Sequence, residues 1–124
     1  MALRDSMRSS AAQFAQPGET IQEVFGAQTA SPWMIPLVGA VITLFINRYR
    51  IFAVTDQRIL VLDAGKMSMK TARGVLTQLP RSTQLGPATG LWHTIPTDAG
   101  KLFVHRRFFK DIAAADAAIA TAAY

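Results

Sequence analysis

The stretch Tyr49-Arg-Ile-Phe-Ala-Val-Thr-Asp-Gln-Arg-Ile-Leu-Val-Leu-Asp-Ala-Gly65 decides the fold. Two runs of aliphatic, aromatic and β-branched residues, 49–54 and 59–62, flank four polar residues, the pattern of two strands joined by a tight turn. Thr55 and Asp56 suit that turn because their side-chain oxygens accept hydrogen bonds from free backbone amides. Arg58 can lay its aliphatic stem along the sheet while its charge stays in water.

Working outward, 74–79, 90–95 and 101–105 are further short strand candidates. They are separated by Pro80, Gly86, Pro87, Pro96 and a Thr97-Asp-Ala-Gly100 turn. Lys66-Met-Ser-Met-Lys70 fits a loop or an edge strand. After His105 the period changes: Phe108, Ile112, Ala115 and Ile119 follow helical spacing, with Asp111 near the positive end of that helix. Leu3, Met7, Ala11 and Phe14 predict a second, amphipathic helix at the front of the chain. Antiparallel strands followed by one amphipathic helix need a closed or nearly closed sheet whose open end the helix covers.

The segment Ala53-Val-Thr-Asp-Gln-Arg-Ile-Leu-Val-Leu62 also resembles the "TDxR" hairpin of bacterial PH-like (pleckstrin-homology-like) domains. Leu79-Pro-Arg-Ser-Thr-Gln-Leu-Gly-Pro87, Gly90-Leu-Trp92, Leu102-Phe-Val-His-Arg-Arg-Phe-Phe109 and Ala115-Asp116 are similar to small actinobacterial proteins that carry such a domain behind a hydrophobic segment. The resemblance implies an α+β, mainly β fold: a small antiparallel β-barrel or two-sheet domain over 48–124, capped by its C-terminal helix. An amphipathic or linker region at 1–31 and a hydrophobic segment at 32–47 would precede it. Trp92 and Phe103 are expected as core aromatics, since a small barrel needs bulky residues to fill it. A PH-like scaffold implies a fold better than an activity.

The hydrophobic segment is the main anomaly. Residues 33–46 contain no charge, and the uncharged window from Val24 to Asn47 is 24 residues long. Its apolar members are Trp33, Met34, Ile35, Leu37, Val38, Val41, Ile42, Leu44, Phe45 and Ile46. A spanning helix needs about 20 apolar residues, so 14 leaves spanning marginal. Trp33 and Tyr49 suit two interfaces, and Arg48 and Arg50 suit the cytoplasmic side of a membrane. The alternative places the segment in the core or an oligomer interface of a soluble module. No cleaved secretory signal is expected, because the first apolar run begins only at Trp33.

The 124 residues carry a net charge of +5 and no cysteine, so disulfides and thiolate chemistry are excluded. Residues 48–110 hold eleven Lys and Arg against three Asp, which concentrates the positive charge in the middle of the chain. Candidate contacts for an anionic surface are Arg48, Arg50, Lys66, Lys70, Arg73, Arg106, Arg107 and Lys110. A solvated, solubilising surface is the plain alternative for the same residues. Nucleic acid is disfavoured: aromatics and cations interleave around 103–109, but no recognisable nucleic-acid-binding motif accompanies them.

Catalytic chemistry finds little support. His93 and His105 lack metal-ligand spacing. Ser82, His93 and Asp98 lack a nucleophile elbow, and Gly86-Pro-Ala-Thr-Gly90 lacks the lysine of a phosphate loop. The expectation is therefore a non-enzymatic PH-like scaffold or accessory protein with no cofactor and no small-molecule substrate. It would sit at the cytoplasmic face of a cell membrane and bind anionic lipid or an acidic protein surface. The alternative is a soluble, cytoplasmic oligomer.

Overall fold

A computed structural model describes residues 2–32, 36, 37, 39–66, 69–98 and 100–119, leaving the side chains of Ala2, Ala40 and Leu44 outside that description. Helix α1 (Ala2–Ala11) runs into a 3₁₀ turn at Ala12–Phe14 and leads to strand β1 (Ile21–Gln28). Helix α2 (Ala40–Ile46) then precedes β2 (Tyr49–Thr55), β3 (Arg58–Gly65), β4 (Gly74–Pro80), β5 (Trp92–Thr97) and β6 (Gly100–His105). A 3₁₀ turn at Arg106–Phe108 leads into the last helix, α3 (Phe109–Ala117).

The strands form one antiparallel sheet in the order β4-β3-β2-β1-β6-β5. The expected strands at 49–54, 59–62, 74–79, 90–95 and 101–105 and both helices appear close to their sequence-derived limits. The expected α+β, mainly β architecture is present as one curled half-barrel sheet with β4 and β5 at its edges. Between β1 and β6 the ladder is reduced to one bridge, Gln28 with Phe103. Curvature comes in part from irregular registers near Ile21/Glu23, Tyr49/Arg50 and Val61/Leu62, where an extra residue bends a strand.

The larger correction concerns 1–31. Residues 21–28, expected in a linker, form a strand that pairs with β2 along its whole length and also bridges to β6. The clue was weak because Ile-Gln-Glu-Val-Phe-Gly-Ala-Gln does not alternate: Val24, Phe25, Gly26 and Ala27 are all buried, as in a strand covered on both faces. Phe25 and Phe52 stack at 4.8 Å between ring centroids. Gly26 leaves room for Met7 of α1 and for Met69; a methyl group there would collide with the Met69 sulfur. The core combines these residues with Ile51, Val54, Ile59, Leu60, Leu62, Leu102 and Val104, and with Phe108, Ile112 and Ala115 from the C-terminal end. Ile119, expected beside them, is half-buried.

α1 is tied to α3 across the sequence. Arg4 donates to both carboxylate oxygens of Asp111, at 2.7 to 3.2 Å, and its guanidinium lies 5.3 Å from the Phe108 ring centroid. The loop after β4 wraps α3 from another side, with the amides of Leu85 and Gly86 donating to Asp116 and Arg81 donating to the carbonyl of Ala115.

The β2–β3 hairpin is present with its turn chemistry redistributed. Thr55 Oγ1 accepts from the amides of Gln57 and Arg58, at 3.1 and 3.0 Å, and donates to Glu19 at 2.6 Å. Asp56, expected to satisfy the turn, instead accepts from the amide of Thr20, whose carbonyl receives the Asp56 amide. Arg58 does more than lie along the sheet: it pairs with Glu19 and donates to Gln78 and to the carbonyl of Phe14. Together these contacts hold the chain entering β1 to the hairpin tip.

Candidate functional site

Two features of the sheet end near β1 and β6 carry functional interest: the excursion between β1 and β2, and a cavity beside it. The excursion leaves the sheet at Gln28 and returns at Tyr49, and its stem is pinned. The amide of Ala30 donates to Asn47 Oδ1 at 3.0 Å. The Thr29 amide donates to the carbonyl of Arg48, and the Arg48 amide donates back to Thr29 Oγ1. Within α2, Thr43 is buried and its hydroxyl donates to the carbonyl of Gly39.

The apolar side chains point the other way. Leu37 is 79% exposed, Phe45 67% and Val41 66%, and Ile42 and Ile46 are about half exposed. Positions 41, 42, 45 and 46 share one face of a helix, so this short helix buries its threonine and presents its hydrophobic face outward, the inverse of a soluble-domain helix. No helix among the described residues is long and apolar enough to cross a membrane. Leu37, Val41, Ile42, Phe45 and Ile46 stand outside the core. Trp33, Met34, Ile35 and Val38, with the side chain of Leu44, lie outside the described residues.

The expected cations divide. Lys66 Nζ sits 5.8 Å from the Phe45 ring centroid, so it borders the apolar face. Arg48 stands at the stem, where its guanidinium donates to the carbonyls of Phe45 and Asn47 and closes the helix C-terminus. Arg50 is engaged by Asp63 at 2.9 Å, which takes it away from an anionic surface. The Arg73 guanidinium packs beside Gly65. Arg107 reaches Met69, its Nη2 lying 3.5 Å from the sulfur, and this contact brings the 66–73 connection next to the β6–α3 junction. Lys66, Lys70, Arg73, Arg106, Arg107 and Lys110 are all exposed.

The cavity, about 250 Å³, has Gly26 and Ala27 as small members of its lining and Tyr49, Trp92, Phe103, His105 and Arg107 among the larger ones. Trp92 and Phe103 are therefore not core residues, as their size had suggested; each is half-buried and lines this space. Sequence alone missed the site because its members come from β1, β2, β5 and β6. Only the cross-strand register unites them, pairing Tyr49 with Gln28, Gln28 with Phe103, and Trp92 with His105.

His93 and His105 take separate roles. His93 Nε2 lies 2.6 Å from the carbonyl of Leu85 and its ring meets Phe109 edge-on, so it secures the loop against α3. His105 Nδ1 accepts from the amide of Arg107 and its ring meets Trp92 edge-on. Among the described residues no group of three or more His, Cys, Asp or Glu side chains is placed to hold a metal ion. Compared with family models, curated proteins and solved structures, the chain has no significant match.

Proposed function

We propose that this protein is a non-enzymatic PH-like module that docks on the cytoplasmic face of a membrane by laying the outward face of α2 into an anionic lipid surface. The observation that carries this reading is the inverted helix: Leu37, Val41, Ile42, Phe45 and Ile46 stand in solvent on a stem pinned by Asn47 and Thr29. A segment of this kind is too short to span but suits shallow burial at the headgroup boundary. Lys66 beside Phe45 adds attraction to anionic lipid, about 1 kcal/mol for a cation near the surface. An anionic lipid surface supplies the negative charge that Lys66 lacks beside Phe45, which a second copy of the same apolar face does not. The PH-like assignment rests on the Thr55-Asp56-Gln57-Arg58 hairpin and is consistent with a curled antiparallel sheet bearing a C-terminal helix.

Co-sedimentation with vesicles tests the docking. Binding is expected to mixed phosphatidylglycerol and phosphatidylcholine vesicles, to be weaker on phosphatidylcholine alone, and to fall with salt. The double substitution Ile42→Asp and Phe45→Asp should abolish it without loss of thermal stability, since both side chains are exposed. Lys66→Gln should weaken it about fivefold, the equivalent of about 1 kcal/mol. Unchanged sedimentation of the double variant would remove α2 as the docking element, and a dimer that dissociates on the same substitutions would assign the face to a second copy.

A further inference from the structure

We infer that the cavity beside β5 and β6 is a binding site for an organic anion carrying a single apolar chain, its head at Arg107 and His105 and its chain over Phe103 and Trp92. The strand register argues for one continuous surface. Cross-strand partners project to the same side of a sheet and side chains alternate along a strand. The pairs Trp92–His105, Thr94–Phe103 and Gln28–Phe103 therefore place all five residues on one face. On that face the 250 Å³ cavity holding His105 and Arg107 abuts a second, of about 420 Å³, which is lined by Pro32, Leu91 and Thr94. Trp92 and Phe103 belong to both. Together the two lobes fall in the usual range for small-molecule sites, about 300–1,000 Å³.

The polar groups select the sign of the ligand. Among the described residues neither lobe is lined by an Asp or Glu. Among the described residues no carboxylate lies within ion-pair distance of Arg107, whose guanidinium meets the Met69 sulfur at 3.5 Å and lies 4.8 Å from the Phe108 ring centroid. The hydrogen bond from the Arg107 amide occupies His105 Nδ1, which puts the ring proton on Nε2 and makes that atom a donor. One lobe thus offers a guanidinium and an imidazole N–H to an acceptor, as a carboxylate or phosphate head requires. The other offers apolar and aromatic surface. A linear amphiphile matches that division, whereas an inorganic anion would leave the larger lobe without a partner.

The experiment uses the full chain with Trp33→Phe, so that Trp92 is the one remaining tryptophan and reports through its fluorescence. Sodium decanoate, below its micelle-forming concentration and without vesicles, should change the Trp92 emission saturably. Decanol, with the same chain and no charge, should bind at least tenfold more weakly, and inorganic phosphate should give no saturable change. Arg107→Gln should weaken decanoate at least tenfold, while Lys110→Gln, which removes an equal charge elsewhere, should not. The Ile42→Asp, Phe45→Asp double variant should keep its decanoate affinity, which separates this site from membrane docking through α2. Vesicles of phosphatidylglycerol with brominated chains distinguish the sources: quenching of Trp92 assigns the chain to a membrane lipid, and decanoate binding without such quenching assigns a soluble carboxylate. No saturable response to decanoate, decanol binding as tightly as decanoate, or an unaffected Arg107→Gln variant would each overturn the inference.

Discussion

Substituting Glu19 by Gln removes the charge that Arg58 and Thr55 both address. The Glu19 side chain is fully buried, and its two oxygens receive Arg58 Nε at 2.9 Å, Arg58 Nη2 at 3.1 Å and Thr55 Oγ1 at 2.6 Å. The Arg58 hydrogen bonds, opposed by burial and helped by Thr55, hold its carboxyl down at about 2, against an ordinary 4.5. A depressed carboxylate stabilises the fold above the unfolded-state value, and that contribution is lost as pH falls through the folded-state value. Glu19→Gln is therefore expected to cost about 2 kcal/mol at pH 7, as for a lost charge-assisted hydrogen bond. The difference from wild type should shrink as pH falls from about 4.5 towards 2, read by urea unfolding at stepped pH. Equal destabilisation at pH 7 and pH 2 would show that the charge is not the cause. Thr55 and Arg58 were legible in the sequence because a hairpin turn is local; Glu19, 39 positions from Arg58, has no neighbouring residue that announces it.

At the scale of the element, α2 depends on its stem more than on its own seven residues, since a helix of two turns has too few internal hydrogen bonds to stand alone. Asn47→Ala removes the acceptor of the buried Ala30 amide. It is expected to cost about 1–3 kcal/mol, the penalty for an unsatisfied buried donor. Amide exchange of Ala30 and of the Thr43–Asn47 turn should accelerate far more than that of β2 and β3. Uniform acceleration across the sheet would instead mean that the excursion unfolds only with the whole molecule. The apolar content of 33–46 was plain in the sequence, and so was its shortfall for a spanning helix. Its inversion was not: Asn47 is held inward by the Ala30 amide, a partner 17 positions away.

For the whole molecule the critical strand is β1. It lies inside the sheet, with β2 on one side and β6 on the other, and receives α1 through Met7 and α3 through the core. A fragment of 48–124, the compass of the domain suggested by family resemblance, loses that strand and splits β4-β3-β2 from β6-β5. It is expected to lack the dispersed amide NMR spectrum and cooperative thermal transition of the full chain. A folded 48–124 fragment would show that β1 is an addition to a self-sufficient domain.

Local order was determined by the sequence itself. Alternating and β-branched runs, Gly and Pro punctuation and a change of period after His105 located five of the six strands and both terminal helices, because these signals act between residues a few positions apart. Tertiary structure decided what joins distant positions. It placed β1 in the middle of the sheet, turned the hydrophobic face of α2 outward, and moved Trp92 and Phe103 from an expected core to the wall of a cavity. Each outcome depends on cross-strand register and on which buried polar groups find partners, and neither is encoded within a single stretch of chain.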